Sequence, residues 1–387
     1  MPEGSIDVSF ELLKKLGSPK DRVPQQRGDI RLPPGTRIIS ADNHFSIADD
    51  IFYQRFPAAM KDRAPRIWWE NGVYQLGFGG KPILTPMLCM IFSEYEMLDG
   101  VSRMAQRMEV LDQEGVEKEI VFGNSSAALL FGDDLEARDC ITRVYNDYLA
   151  ELGAQTKGRF NGVAFVNYWD ESRYGQSLRN IAALGLKTFL LPLNPGKDIK
   201  GEAISYTSPQ MDAFWDVVEE LDLPVAFHIG ENAADGPRGS LGTAFMMNLA
   251  PFRKTIGELI FGGVFDRHPK LRVVFYEGGI NWIPGMLQDA ELIVGAFERM
   301  FDWKVQHTPR YYWDNHCYAT FITDPLGLRI LDEIGPARVM WSHDYPHAES
   351  AFGWSWTSMS KIVEAASEDE TRAILGGTAL KLFKLDD

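Results

Sequence analysis

Short, strongly apolar runs that end at histidine or aspartate constrain the fold of this chain more than any other feature. Three of them, at residues 37–41, 224–227 and 338–342, are followed by Asp42, His44, His228, His343, Asp344 and His347. Such runs are typical of fully buried strands in a parallel sheet, and α/β proteins carry their chemistry at the carboxyl ends of those strands. Imidazole and carboxylate groups brought to one edge form divalent-metal sites. The sequence therefore predicts a metal site at this edge.

The rest of the chain alternates β-like runs with helical patterns. The predicted strands are 37–41, 118–122, 162–166, 188–191, 224–227, 272–276, 318–322 and 338–341, and helices are predicted at 135–155, 210–221, 252–265, 284–301 and 326–334. Eight such units predict an α/β fold, a distorted (β/α)8 TIM barrel. The alternative is a doubly wound open sheet, which ordinarily has a Gly-rich turn after its first strand. Asp42, Asn43 and His44 occupy that place here.

The barrel domain is predicted to span residues 36–387, preceded by an N-terminal extension at residues 1–35. Two insertions, at about 64–100 and 302–316, are expected to project from the rim or the side of the barrel. The first is interpreted as a hairpin turning at Asn71 and Gly72, followed by a Met-rich loop.

Composition excludes several classes of protein. Hydrophobic residues make up 45% of the 387, enough for a large core, and the formal net charge of −15 argues against nucleic acid or an anionic membrane as partner. Three widely spaced cysteines suggest no disulfide framework. We find no signal peptide, no membrane-spanning stretch and no nucleotide-binding motif. A cytoplasmic enzyme is expected.

The strand-end residues differ in what each indicates alone. Asp42 and His44 are two residues apart on one strand, so both side chains point the same way. Alone, they also suit a surface turn, and His228 alone also suits a buried core histidine. Asp344 follows an apolar strand and is expected to face the barrel mouth. Together, on the first, fifth and eighth predicted strands, they indicate one metal site.

These motifs resemble the amidohydrolase-related family, the branch of the metal-dependent amidohydrolase superfamily that includes the aminocarboxymuconate-semialdehyde decarboxylase type. The resemblance is carried by residues 40–44, 227–230, 267–275, 277–279, 282–284 and 341–347. It implies a distorted TIM barrel with one or two divalent ions (zinc, iron or manganese) at the C-terminal rim. The implied metal ligands are Asp42, His44, His228 and Asp344.

Two positions depart from the family pattern. Glu277 stands where the decarboxylases of the family carry a histidine on the sixth strand. It is interpreted either as a ligand or bridge for a second metal, or as a carboxylate that caps the following helix. His343 replaces a small or neutral residue. It is a further candidate ligand, although strand alternation points it towards the barrel wall.

Glu277 in place of the decarboxylase histidine favours hydrolysis, because a carboxylate does not provide the positive charge and the proton of an imidazolium. A metal-bound water becomes hydroxide near neutral pH, and Asp344 is expected to transfer its proton, with Glu277 and His347 as further catalytic residues. The predicted reaction is cleavage of an amide, ester or thioester of a bulky apolar acid. The alternatives are non-oxidative decarboxylation of an aromatic or unsaturated carboxylic acid, and a non-catalytic metal-binding barrel.

Aromatic residues near the predicted rim suggest the substrate. The chain has 10 tryptophans and 23 phenylalanines, and an aromatic-lined mouth suits an apolar carboxylic acid derivative. The predicted substrate-binding residues are Phe45, Trp282, Tyr345 and Trp354. The alternative is that these aromatics pack the insertions or an interface between copies, since a homo-oligomer, in particular a dimer, is expected.

Overall fold

The computed structural model describes residues 15–47, 50–231, 236–249 and 252–386. The strands are β1 (Ile39–Phe45), β2 (Pro65–Glu70), β3 (Val73–Phe78), β4 (Lys81–Pro82), β5 (Lys118–Gly123), β6 (Phe160–Gly162), β7 (Ala164–Phe165), β8 (Phe189–Leu190), β9 (Val225–His228), β10 (Val273–Tyr276), β11 (Cys317–Phe321) and β12 (Val339–Trp341). Apart from β2–β4, these strands form the wall of a distorted TIM barrel.

Helices cover the outside of the wall. They are α1 (Ile51–Arg55), α2 (Pro86–Tyr95), α3 (Met104–Glu114), α4 (Leu135–Gln155), α5 (Tyr174–Ala183), α6 (Asp212–Leu221), α7 (Ser240–Asn248), α8 (Phe252–Phe261), α9 (Val264–Arg267), α10 (Trp282–Phe297), α11 (Pro309–His316), α12 (Pro325–Arg329), α13 (Leu331–Ile334), α14 (Ser355–Ala365), α15 (Glu368–Arg372) and α16 (Thr378–Phe383). Most connect one parallel strand to the next, as βα units require.

The barrel wall consists of two parallel sheets that meet at one extended segment. β1, β5 and β6 form one sheet, and β7 to β12 form the other in sequence order. β6 and β7 flank Val163, whose N–H donates to the Val121 carbonyl at 2.8 Å, while the N–H of Ala164 donates to Thr188 at 3.0 Å. The two segments therefore act as one barrel strand, which brings the number of strands in the wall to eight.

The first and last strands meet at the C-terminal end of the barrel. The N–H of Asp344 donates to the carbonyl of Asp42 at 2.8 Å, and the N–H of His44 donates to the carbonyl of Tyr345 at 2.7 Å. These bonds lie immediately beyond the end of β12. The same residues carry the polar side chains predicted to bind metal, so the joint of the wall and the candidate site coincide.

Alternation along the strands separates the barrel interior from the layer between wall and helices. Phe45, one residue beyond His44, packs against Tyr145 of α4 with ring centroids 6.3 Å apart. Tyr145 in turn stacks on Phe165 of β7 at 3.9 Å. The helix is capped by Asp134, the residue before its start, whose carboxylate accepts a hydrogen bond from the Ala137 N–H, a common N-terminal cap.

The segment at residues 64–100 contains an antiparallel sheet of β2, β3 and β4. Its first turn holds Asn71 and Gly72 at positive φ (52° and 78°), the backbone that a two-residue hairpin turn needs. The Met-rich part, expected to be a loop, instead forms α2. Proline at its first position and the Thr85 cap favour a helix there.

The extension before the barrel is described from residue 15 onward, and residues 1–14 lie outside the described residues. Arg22 donates to the carbonyls of Ala348 at 2.5 Å and Ser350 at 3.2 Å, in the loop after β12. Gln25 bonds Thr357 at 2.7 Å. The division of the chain at residue 35 stays a prediction. Among the described residues, no helix has the length and apolarity to cross a bilayer.

Candidate metal centre

Six acidic and imidazole side chains meet at the C-terminal end of the barrel, all at the ends of strands or directly beyond them. They are Asp42, His44, His228, Glu277, Asp344 and His347, and they form two overlapping groups that share His44 and Glu277. In each group of four, the potential ligand atoms all lie within 4.8 Å of one another. The structure therefore brings together the four principal predicted ligands and both further catalytic candidates.

The nitrogen atoms of the histidines face carboxylate oxygens at short range. His44 Nε2 lies 3.6 Å from Asp42 Oδ1 and 3.2 Å from Asp344 Oδ1. His228 Nε2 lies 3.2 Å from Glu277 Oε2 and 3.6 Å from Asp42 Oδ1. All these groups are buried or nearly so.

Several atoms of this cluster are buried without a hydrogen-bond partner among the described residues. They are both Oδ atoms of Asp42 and of Asp344, Nε2 of His44 and of His228, and Oε2 of Glu277. Buried polar atoms rarely lack partners, because each costs about 1–3 kcal/mol. Carboxylate oxygen and imidazole nitrogen are suitable ligands for a divalent ion. The donor set thus fits the predicted metal.

Two further hydrogen bonds orient the imidazoles. His228 Nδ1 lies 2.8 Å from the carbonyl oxygen of Ile229, and His347 Nε2 lies 3.2 Å from Asn124 Oδ1. When these nitrogens donate, the opposite nitrogen of each ring presents its lone pair to the cluster. His347 also stacks on His44, with centroids 3.9 Å apart, which keeps both rings in place.

Burial and neighbouring charge shift the pKa values within the cluster. Burial, reinforced by the negative charge of Glu277, raises the pKa of Asp344 to about 6. Burial and the charge of His347 lower the pKa of His44 to about 4. Burial also opposes a charge on His347, but Asp344 and Glu277 outweigh it and raise the pKa of His347 well above its usual range.

Two of the carboxylates lie on backbone of unusual conformation. Glu277 and Asp344 adopt φ values of +64° and +58°, a region that non-glycine residues rarely occupy. The N–H of Glu277 donates to Thr320 Oγ1 at 2.9 Å, and that of Asp344 donates to the Asp42 carbonyl. Strain of this kind persists only when the surroundings hold it, and it is common at functional sites.

A buried ion pair lies directly behind the first strand. Arg107 donates to both carboxylate oxygens of Glu119 (2.6 and 2.8 Å) and to the carbonyl of His44 at 2.8 Å. Asn43 Nδ2 donates to Glu119 Oε2 at 2.6 Å, and Asn43 Oδ1 accepts from the Tyr345 N–H at 2.9 Å. No sequence pattern pointed to Arg107 or Glu119, although Asn43 lies between two predicted ligands.

The structure removes one alternative for Glu277. The amides before α10 donate to Asp324 instead, with Ile280 N and Asn281 N each 2.8 Å from its Oδ2. Asp324 therefore accepts from the amides at the start of this helix. The Glu277 carboxylate instead belongs to the cluster of six side chains at the end of the barrel. The interpretation of Glu277 as a helix cap is wrong.

His343 is also placed away from the cluster. Its Nε2 lies 3.4 Å from Glu114 Oε2, on the far side of the strand, and its N–H donates to Ser40 Oγ at 2.9 Å. Strand alternation points it outward, opposite to Asp344. The expectation that His343 is a further ligand is wrong.

Three of the four predicted substrate-binding aromatics lie in packing layers instead of the barrel mouth. Phe45 packs against α4, Trp354 donates to the Ser350 carbonyl, and the Tyr345 hydroxyl donates to the Asp99 carbonyl. Trp282 packs on Phe252 at 5.9 Å. The predictions for Phe45, Tyr345 and Trp354 are wrong, because strand alternation and indole or phenol hydrogen bonding direct these buried rings into the protein. The prediction for Trp282, which is half-buried, stays a prediction.

Other aromatic rings contact the centre. Phe122 lies 4.5 Å from the His228 ring and 4.7 Å from Tyr276, centroid to centroid. Tyr95 lies 5.3 Å from His347. The sequence offered one signal for two of them, since Phe122 and Tyr276 each end a predicted strand.

Comparisons with known proteins agree with this geometry. The family model for amidohydrolases matches residues 82–385. The gamma-resorcylate decarboxylase of Rhodococcus jostii is 30% identical over 305 residues, covering 72% of this chain and 87% of that protein.

Solved structures show the same fold. An amidohydrolase from Mycobacterium avium subsp. paratuberculosis aligns over 90% of this chain and 98% of its own, with a TM-score of 0.69 and 20% identity. A dihydroxybenzoic acid decarboxylase from Polaromonas sp. JS666, solved with manganese and 2-nitroresorcinol, aligns over 91% and 98%, with a TM-score of 0.66 and 20% identity. The predicted TIM barrel and family are confirmed.

The predicted hydrolysis of an acyl bond is wrong, because the relatives with similar sequences are decarboxylases. The hydrolase interpretation depended on the absence of a histidine at position 277. In the structure, His347 Nδ1 lies 3.6 Å from Glu277 Oε1, so an imidazole is present beside this position after all. It comes from the loop after β12 instead of from the sixth strand of the barrel.

Proposed function

The chain belongs to the amidohydrolase family, and from this premise we propose that it is a metal-dependent decarboxylase of an aromatic carboxylic acid. The observation that carries the proposal is the buried cluster whose carboxylate and imidazole atoms lack partners. The decarboxylase relatives, which match across nearly three quarters of the chain, support this choice of reaction. The aromatic rings of Phe122, Tyr276 and Tyr95 around the cluster suit a flat substrate.

Four residues would hold the metal: Asp42, His44, His228 and Asp344, with Glu277 close enough to His228 to contribute. A bound divalent ion supplies positive charge that polarises and orients oxygen atoms of a substrate. The strained backbone at Asp344 and the hydrogen bond from His228 to Ile229 hold these side chains ready before the ion arrives. Preorganisation of this kind lowers the cost of assembling the site.

Decarboxylation breaks the bond between the ring carbon and the carboxyl carbon, and carbon dioxide leaves. The bonding electrons stay on the ring carbon, which must then receive a proton. Asp344 Oδ1 and His347 Nδ1 lie 3.2 Å apart, and a proton shared between them is available to the ring. We assign the proton transfer to this pair, with Asn124 orienting the imidazole of His347.

The test is release of carbon dioxide by the purified protein loaded with Mn²⁺. The substrates are hydroxybenzoic acids, including 2,6-dihydroxybenzoate, and the benzene-1,2-, 1,3- and 1,4-dicarboxylic acids with their hydroxylated forms, beside a panel of aromatic amides and esters. We expect carbon dioxide from at least one acid, none after chelation, and none from Asp344→Asn. Asp289→Asn changes an exposed aspartate and should keep full activity. Carbon dioxide from no acid in the panel would contradict the proposal.

A further inference from the structure

Two arginines are almost fully buried in this barrel, and they differ in their partners. Arg107 forms a paired, hydrogen-bonded contact with Glu119. Arg138 is 7% exposed, and within the described residues its guanidinium makes one hydrogen bond, to the hydroxyl of Tyr168 at 3.0 Å. Its Nε has no acceptor, and no carboxylate oxygen of the described residues lies within 4.0 Å.

The rings around Arg138 hold its guanidinium group in one orientation. Its Cζ lies 3.9 Å from the centroid of the Trp169 ring, and Tyr168 and Trp169 are themselves 1% exposed. Burial lowers the pKa of Arg138 from its usual range, although arginine stays charged in proteins. The charge of Asp133 acts on the guanidinium from a distance and favours its charged form, but no carboxylate contacts it among the described residues. A buried charge without a carboxylate in contact is costly, so this arrangement suits an anion supplied by a ligand.

The position of Arg138 in the barrel indicates that this anion belongs to the substrate. It lies in the first turn of α4, the helix that follows β5, while Tyr168 lies three residues beyond the end of β7. Both are therefore at the C-terminal end of neighbouring barrel strands, the end that carries the metal cluster. Asn124, at the end of β5, contacts His347 of that cluster.

We infer that Arg138, Tyr168 and Trp169 form a subsite for a second carboxylate of the substrate, so that the substrate is an aromatic dicarboxylic acid. This inference rests on the proposed function, in which the metal cluster receives the carboxylate that is lost. The flat guanidinium can donate two parallel hydrogen bonds to a carboxylate, while Trp169 supports its face. Because the chain carries a formal net charge of −15, a dianion needs a local cation of this kind.

The experiment is calorimetric titration of the Mn²⁺-loaded protein with benzoate and with benzene-1,2-, 1,3- and 1,4-dicarboxylate. We expect one dicarboxylate to bind at least about tenfold more tightly than benzoate, as a charge-assisted hydrogen bond allows. Arg138→Met should abolish this preference and leave the affinity for benzoate and Mn²⁺ unchanged. Arg143→Met, an exposed arginine on the same helix, should keep the preference.

Two further variants keep the inference falsifiable if Arg138→Met does not fold. Arg138→Lys keeps the charge without the planar fork, and Tyr168→Phe removes the hydroxyl that accepts from the guanidinium. Each should weaken dicarboxylate binding several-fold and leave benzoate binding unchanged. No preference in the wild type, or the same preference in these variants, would overturn the inference. Inorganic phosphate that binds as tightly as the best dicarboxylate would also overturn it, since the site would then accept any free anion.

The outcome is separable from that of the proposed function. Release of carbon dioxide from monocarboxylic acids, with no preference for dicarboxylates, would overturn the subsite alone. A preference that depends on Arg138, without release of carbon dioxide from any acid, would overturn the proposed reaction and leave the subsite supported as a binding site.

Discussion

The backbone N–H of Asp344 donates to the carbonyl of Asp42 at 2.8 Å, and the side chains of both residues are buried without a hydrogen-bond partner in the part of the chain that the structure describes. This hydrogen bond helps to join the last strand of the barrel to the first, at the point where each strand carries a carboxylate of the cluster. Substitution of Asp42 or Asp344 is therefore expected to weaken metal binding and to leave the backbone hydrogen bond between the first and last strands in place. In the proposed site the two side chains would bind the ion, while the backbone hydrogen bond joins the two strands.

Metal binding should stabilise the protein strongly, because the ion supplies partners for the buried atoms. At a free Mn²⁺ concentration 100 times the dissociation constant, we expect about 2.7 kcal/mol of added unfolding free energy. His228→Ala should weaken Mn²⁺ binding by more than about 100-fold, beyond the usual effect of losing an outer partner. Metal content and thermal unfolding with and without chelator provide the measurement.

The control for His228→Ala is His307→Ala, which changes an exposed histidine remote from the cluster. It should leave metal content and melting temperature unchanged. Equal loss of metal in both variants, or none in either, would contradict the assignment of His228 as a ligand.

Glu277→Gln should lower Mn²⁺ affinity and leave α10 intact. The amide keeps the size of the side chain but removes the negative charge that faces His228 at 3.2 Å. Asp324→Ala should do the reverse, since it removes the cap of α12 and the acceptor of the amides before α10, at a cost of about 1–2 kcal/mol, and changes no predicted ligand. Metal titration and urea unfolding of both variants separate the two roles. Unchanged metal affinity in Glu277→Gln would show that Glu277 is no ligand.

The metal-free protein should lose stability relative to Asp344→Asn as the pH rises. The pKa of Asp344 is about 6 in the folded protein and 3.8 as its ordinary value. Between these values the folded state binds more protons than the unfolded state, so the unfolding free energy falls with rising pH. The unfolding free energy of the wild type relative to the variant should therefore fall between about pH 4 and pH 6, by an amount on the order of a few kcal/mol.

Urea unfolding in chelator from pH 4 to 7 measures this difference. The same series with saturating Mn²⁺ is the control, and there the wild type should gain on the variant as the pH rises, because the ion binds ionised Asp344. A difference that is flat with pH in chelator would contradict the raised pKa.

The barrel and the principal ligands could be predicted because periodicity and strand ends are local properties. Asp42 and His44 share a face since they are two residues apart, and His228 ends its own strand. The partner of His343 could not be predicted, because Glu114 is 229 residues away in the chain. The same holds for Asp324, which caps a helix that begins more than 40 residues earlier.

The aromatic residues show the opposite failure. Phe45 follows directly after a ligand, which suggested a place at the rim, but strand alternation sends it to the outer layer. Phe122, which does contact His228, lies one residue before the end of β5, and no acidic or imidazole residue follows it there. Whether an aromatic residue faces the barrel interior is therefore predicted better by its place in the inward–outward alternation of the strand than by its closeness to the strand end.

The ion pair behind the first strand should couple stability to metal binding. Glu119→Gln leaves the guanidinium of Arg107 buried without a carboxylate, which typically costs about 3–5 kcal/mol. It should also weaken Mn²⁺ binding, because Arg107 bonds the His44 carbonyl and Glu119 bonds Asn43, which lies between the two predicted ligands.

The double variant Arg107→Met with Glu119→Leu should recover most of the stability but not the metal affinity, since an apolar pair packs well but no longer orients His44 and Asn43. Glu151→Gln, which breaks an exposed pair with Arg55, is the control and should change neither quantity. Loss of stability in Glu119→Gln with unchanged Mn²⁺ affinity, measured below its melting temperature, would show that the pair supports the barrel wall alone.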